Sequence, residues 1–138
     1  MARYFNDPTL PSPEFPGSHL VMDEHYVHLS GLTAADIQGS DAILGDAAEE
    51  TRWILRRLSH LLEQADCTLA DTVRVQVHLT DLSLQQAVDD VYSEWFEAAR
   101  YPARTCTVSP QLHGGAAVEI TLTARRPEGA SPDEPSEG

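Results

Sequence analysis

The chain has no lysine, and all nine of its basic residues are arginines. A lysine Schiff base, a pyridoxal-phosphate lysine and a Walker-type phosphate loop each need an ammonium group, so all three are excluded. Cysteine is scarce: Cys67 and Cys106 do not make a disulfide framework, and a reducing cytoplasm is the economical expectation. No apolar run approaches the roughly 20 residues of a spanning helix, and no charged stretch followed by an apolar one opens the sequence, so no membrane partner is expected. The scattered histidines fit neither a zinc finger nor an HExxH helix, and no metal is expected. Positive charge is short overall. The 22 acidic residues bring the net charge to −13, a field that repels phosphate backbones and makes nucleic acid a poor partner.

What is present suits one domain: 138 residues, of which 41% are hydrophobic. Residues 1–18 carry Pro8, Pro11, Pro13 and Pro16 with Gly17 and read as an extended N-terminal arm. Residues 127–138, rich in proline, glycine, serine and acids, read as a disordered acidic tail. Between them, residues 19–126 follow a ββαβαββ order. His19–Asp23 and His25–Ser30 are short strands, with Gly31 ending the second. Asp46 and Glu49 suggest a capping box at the start of a helix whose Ile54, Leu58, Leu61, Leu62 and Ala65 form one apolar stripe.

Thr72–Leu79 alternates, with Val73, Val75, Val77 and Leu79 facing one way and Arg74, Gln76 and His78 the other. Ser83 and Gln86 suggest a second capping box, Val88, Val91, Tyr92 and Trp95 a second buried helix face, and Tyr101-Pro102 its stop. Thr105–Val108 and Ala117–Ala124 are the last strands, joined by a turn containing Pro110, Gly114 and Gly115. The expected fold is an α+β two-layer sandwich, a mixed sheet with two helices on one face. The other face must be solvated or meet another subunit.

Arg104 and Glu119 stand out chemically. If their strands form a hairpin in which they oppose, the turn falls near Gln111 and Leu112, among turn-forming residues. Such a register puts a guanidinium suited to a carboxylate beside a carboxylate able to hold a water. It describes an ordinary cross-strand ion pair equally well.

Tyr101-Pro102-Ala103-Arg104-Thr105-Cys106, followed by Gly114-Gly115-Ala116-Ala117-Val118-Glu119-Ile120, resembles the signature of the RidA (YjgF) family. Leu29-Ser30-Gly31, Asp46 through Thr51, Leu69-Ala70-Asp71-Thr72-Val73, Val77-His78-Leu79-Thr80-Asp81 and Tyr92-Ser93-Glu94-Trp95-Phe96 follow the family's order and spacing. The resemblance covers about His19 to Ala124. It implies a chorismate-mutase-like α+β sandwich assembled as a homotrimer, with clefts between neighbouring subunits. It also implies cofactor-free hydrolysis of reactive enamines and imines, such as 2-aminoacrylate, to a 2-keto acid and ammonia.

Carried over by resemblance, Arg104 matches the arginine that clamps the substrate carboxylate, and Glu119 the glutamate that positions the attacking water. Cys106 matches a position whose backbone carbonyl faces the substrate nitrogen, and Gly31 the glycine lining the cleft. Two positions depart from the family. Counted back from Ser30-Gly31 without a gap, its cleft tyrosine falls on Gly17, and its helix asparagine is Asp89 here. A carboxylate at Asp89 either disfavours a small anionic substrate or is a solvated helix charge, and the missing ring at Gly17 leaves room for a larger or differently charged imine. The rival expectation is a non-catalytic trimer that binds a carboxylate metabolite. A ribonuclease, a role attached to relatives, fits the charge least.

Overall fold

The computed structural model describes residues 2–127, so the reading of the acidic tail lies outside the described residues apart from Pro127. Among them, six strands form one mixed sheet: β1 (Arg3–Phe5), β2 (Leu20–Met22), β3 (Tyr26–Thr33), β4 (Thr72–Leu79), β5 (Ala103–Val108) and β6 (Val118–Arg125). Helices α1 (Ala47–Glu63) and α2 (Gln85–Trp95) pack on one face. The α+β sandwich is as expected.

The strand order is β1-β2-β3-β6-β4-β5. The two last strands are therefore not a hairpin: β6 lies between β3 and β4, antiparallel to both, and β5 pairs with β4 in parallel. Two physical demands explain the correction. A strand–helix–strand run such as β4-α2-β5 makes a parallel crossover, whereas a hairpin needs adjacent antiparallel strands. Burial also assigns the middle of the sheet: Val118, Ile120, Leu122 and Ala124 of β6 are all buried, whereas no residue of β5 is.

The inward rows hold the core, with Val27 and Leu29 of β3, Val75, Val77 and Leu79 of β4 and the four β6 residues facing Ile54, Leu55, Leu58 and Leu62 of α1. The opposite face is polar: Ser30, Gln76, His78, Thr105, Thr107, Glu119, Thr121 and Thr123 are exposed or half-buried. Val73 was expected inward but is 42% exposed, because the β4–β6 register slips between Thr72 and Arg74. β3 does not end at Gly31 but runs on to Thr33 through a bulge, in which Ser30 and Gly31 together oppose Thr121.

Helix ends also differ in detail. Asp46 caps α1 by accepting from the Glu49 N–H at 3.1 Å, but the box stays open. The Asp46 N–H donates to the Ile43 carbonyl, and the Glu49 carboxylate turns to Arg52. α2 is led in by a 3₁₀ turn (Leu82–Leu84) capped by Asp81 rather than Ser83, the Asp81 side chain accepting from the Ser83 N–H at 2.8 Å. It ends at Trp95, before Tyr101-Pro102, because Phe96 is already extended.

Glu50, at 0% exposure, is the main polar fixture of the core. Its carboxylate accepts from the N–H groups of Gly45 (2.6 Å), Ala117 (2.9 Å) and Val118 (3.1 Å), tying the start of α1 to the start of β6. Glu50→Gln turns an amide NH₂ towards these donors and is expected to cost about 3 kcal/mol. Thermal unfolding should read this as a Tm lower by about 10 °C.

Part of the N-terminal segment is sheet: Tyr4 pairs with Val21 at the β1–β2 edge. The remainder loops back and is held by His19. The Asp7 N–H donates to His19 Nδ1 at 2.8 Å, which leaves the proton on Nε2 to donate to the Pro11 carbonyl at 3.0 Å. Asp7 also bonds Thr9 and Gln64, and these contacts with a neighbouring charge hold its carboxyl below the usual range despite burial, which acts the other way. No helix among the described residues is long and apolar enough to cross a membrane.

Candidate functional site

The β3 bulge brings Gly31 against Glu119. A Cβ on Gly31 would lie 2.9 Å from Glu119 Cδ and 3.1 Å from Thr121 Oγ1, so the glycine leaves the space in which the carboxylate rests across the strand. Its role is close approach rather than strand ending. Both residues line a cavity of about 220 Å³ together with the returning N-terminal segment, including Gly17. His113 and Asp36 border it, 4.0 Å apart.

Arg104 is elsewhere. It pairs with Val75 in the β4–β5 register and so points towards the helices, whereas Glu119 pairs with His78 and points to the open face. The two do not face one another within one chain. Arg104 Nη2 instead meets Asp89 Oδ1 of α2 at 2.5 Å, and its guanidinium lies 4.8 Å above the centre of the Tyr92 ring. Tyr92 stacks on Phe96, and burial pushes its hydroxyl up to about 12 although the Arg104 charge acts the other way. Cys106, half-buried and a free thiol, follows on the same face, in register with Val77.

Six residues singled out from the sequence thus form two groups. Gly17, Gly31 and Glu119 share one cavity, and Arg104 and Cys106 stand on the edge strand β5, with Asp89 above. Phe15 was missed: its ring lies 2.9 Å from where a Cβ of Gly17 would be and lines the cavity. Its only sequence signal was its place two residues before Gly17. A basic group, Arg56, Arg57 and His60 with Trp53, borders a separate cavity and shares no residue with the first.

The profile of the Endoribonuclease L-PSP family matches residues 9–126. The chain belongs to this family, also known as RidA or YjgF. Among its RidA-family relatives, 3-aminoacrylate deaminase RutC of Acinetobacter baylyi is 31% identical over 83% of this chain and 90% of its own. The 2-iminobutanoate/2-iminopropanoate deaminase of Capra hircus is 28% identical over 88% of both. The structure of YyfA, a Rid-family protein of unknown function from Yersinia pestis, superposes with a TM-score of 0.81 at 25% identity, over 91% of this chain and 99% of that one. Yeast Mmf1 shares the fold, with a TM-score of 0.80 at 19% identity over 92% of this chain and 100% of its own. Membership of the RidA family is thus the frame for the two groups of residues.

Proposed function

We propose that this protein hydrolyses reactive 2-imino acids and their enamine tautomers without a cofactor, in clefts built from two copies of the chain in a homotrimer. The observation that carries the proposal is the Glu119 carboxylate held over Gly31 at the wall of a cavity. The deaminase names of relatives at 28–31% identity support the reaction class. Because Arg104 and Glu119 point to opposite faces of one sheet, the cleft needs Glu119 with Gly31 from one copy and Arg104 with Cys106 from the next. The open polar face and the unpaired outer edge of β5 among the described residues are the surfaces available for that assembly.

In the proposed reaction, Arg104 holds the substrate carboxylate and fixes the imine carbon beside a water. Glu119 accepts a proton from that water as its oxygen adds to the carbon, and the nitrogen takes up a proton. The carbinolamine loses its C–N bond, so R–C(=NH)–COO⁻ and water become R–CO–COO⁻ and ammonia. The Cys106 carbonyl, rather than its thiol, faces the nitrogen. Imines hydrolyse readily in water, so positioning supplies most of what is required.

The test is a competition with semicarbazide. A threonine dehydratase releases the enamine, and semicarbazone formation is followed with and without the protein. Wild type should suppress it, and a folded Arg104→Ala protein should not. Wild-type rates in Arg104→Ala would remove the clamp from the mechanism. Gly31→Ala, which pushes the Glu119 carboxylate aside, should lower kcat at least about tenfold while the Tm stays near wild type.

The second reading is a trimer that binds a carboxylate metabolite without turning it over: Arg104 alone serves that role, and Gly17 with Asp89, which engages the guanidinium, would then reflect lost catalysis. Glu119→Gln separates the two, since a binder keeps its ligand affinity and a hydrolase loses turnover.

A further inference from the structure

The cavity beside Glu119 is larger and more apolar than a methyl or ethyl substituent requires. The exposed Phe15 ring (68%) supplies most of its apolar surface, over a floor to which the nearly buried Leu10, Leu32 and Leu61 add a little, and Ser18, Ser30 and His113 are the polar part of the rim. Its volume of about 220 Å³ can be set against an engineered apolar cavity of roughly 150 Å³ that accommodates benzene. Gly17 maintains the arrangement, because any Cβ there would meet the Phe15 ring at 2.9 Å.

The charges along the wall say which end of a substrate enters. Glu14, Asp36 and Glu119 line the cavity with no arginine. Glu14 is exposed to solvent, and Asp36 is engaged with the N–H and hydroxyl of Thr33 and lies beside His113. An α-carboxylate is repelled from such a wall and turns outward, towards a guanidinium, which leaves the other substituent of the imine carbon to fill the cavity.

From this we infer that the Glu119 cavity is a specificity pocket for a bulky apolar substituent, so that the preferred substrates are imines of branched aliphatic or aromatic amino acids. This rests on the hydrolase reading and names its substrate class. Covering the Phe15 ring and filling the cavity beside it are interactions that 2-iminopropanoate, with a single methyl, does not make.

The test uses the full-length wild-type protein, a flavin L-amino-acid oxidase to generate imines from alanine, leucine, phenylalanine and arginine, and semicarbazide as competitor. The leucine and phenylalanine imines should show kcat/KM about tenfold or more above the alanine imine, the discrimination expected of one or more buried methylenes. Phe15→Ala should narrow that gap several-fold. Equal or higher kcat/KM for the alanine imine overturns the inference, and so does a preference for the arginine imine, which would make the pocket an acidic one. If no imine is hydrolysed, the hydrolase reading fails, and the pocket is judged by NMR titration with stable 2-oxo acids. Phenylpyruvate and 4-methyl-2-oxopentanoate should then bind about tenfold tighter than pyruvate, and equal affinities overturn the pocket.

Discussion

Arg104→Ala and Glu119→Gln, each inactive alone, should regain imine hydrolysis when unfolded together and refolded as a mixture. If every cleft takes its glutamate from one copy and its arginine from another, random assembly of equal amounts gives an intact pair in about a quarter of the clefts. The recovered rate should therefore approach about one quarter of wild type per cleft. The geometry behind this is the sheet itself: Arg104 is in register with the inward Val75 and Glu119 with the outward His78. No side-chain rotation takes a group through the hydrogen-bonded sheet, and β4, which lies between β5 and β6, has Val75, Val77 and Leu79 buried on its inner side. A mixture that stays inactive, from proteins shown to co-assemble, would return both residues to a single chain and contradict the register.

Asp89→Asn should have the second large effect, on affinity. Asp89 holds the Nη2 end of the Arg104 fork at 2.5 Å, so an incoming carboxylate must share a guanidinium that already has an anion. A guanidinium offers five N–H donors, which leaves room for a second carboxylate at the cost of repulsion between the two. The pair is partly exposed, with side chains at 20% and 37%, so water and salt weaken that repulsion. Asparagine keeps an oxygen for Arg104 to donate to and removes the charge. The expected result is a KM for carboxylate-bearing imines lower by about tenfold at low salt, with kcat little changed and the difference shrinking as salt is added. An unchanged KM would make Asp89 a structural brace for Arg104.

Much of the fold was legible because local rules were obeyed. The α1 stripe lies on the core as its spacing required, Asp46 caps the helix it precedes, and Val75, Val77 and Leu79 face inward. Pairing was not legible in the same way. Turn residues at Pro110, Gly114 and Gly115 allow a hairpin, but they say nothing about β4, which competes for β5. The better signal was amphipathic strength, since β6 presents four inward apolar residues and β5 only Cys106 and Val108. Val73 and Gly31 were misread for one reason, that a bulge shifts the two-residue alternation and nothing in composition announces it.

The site divided along the same line. Glu119 stood out on its own chemistry and Gly31 came from resemblance, and the bulge brings them together. The Arg104–Asp89 contact depends on how α2 is rotated over an edge strand, which the sequence does not specify. Phe15 lies in a proline-rich stretch with no periodicity, where the path of the chain is decided by single hydrogen bonds such as those of His19.

The bulge at Ser30 and Gly31 has a consequence for how this chain tolerates change in length. Leu29 pairs with Leu122 and Leu32 with Ile120, so β3 carries one residue more than β6 over that span. Removing either Ser30 or Gly31 would bring the two strands into even step, with Leu29 and Leu32 still directed at the core. The sheet therefore accommodates a one-residue deletion at this point, and would lie more regularly for it. What such a deletion takes away is the recess for Glu119. Here the β3–β6 pairing carries one residue that the ladder itself does not need, and under the proposed function that extra residue marks the wall of the cleft.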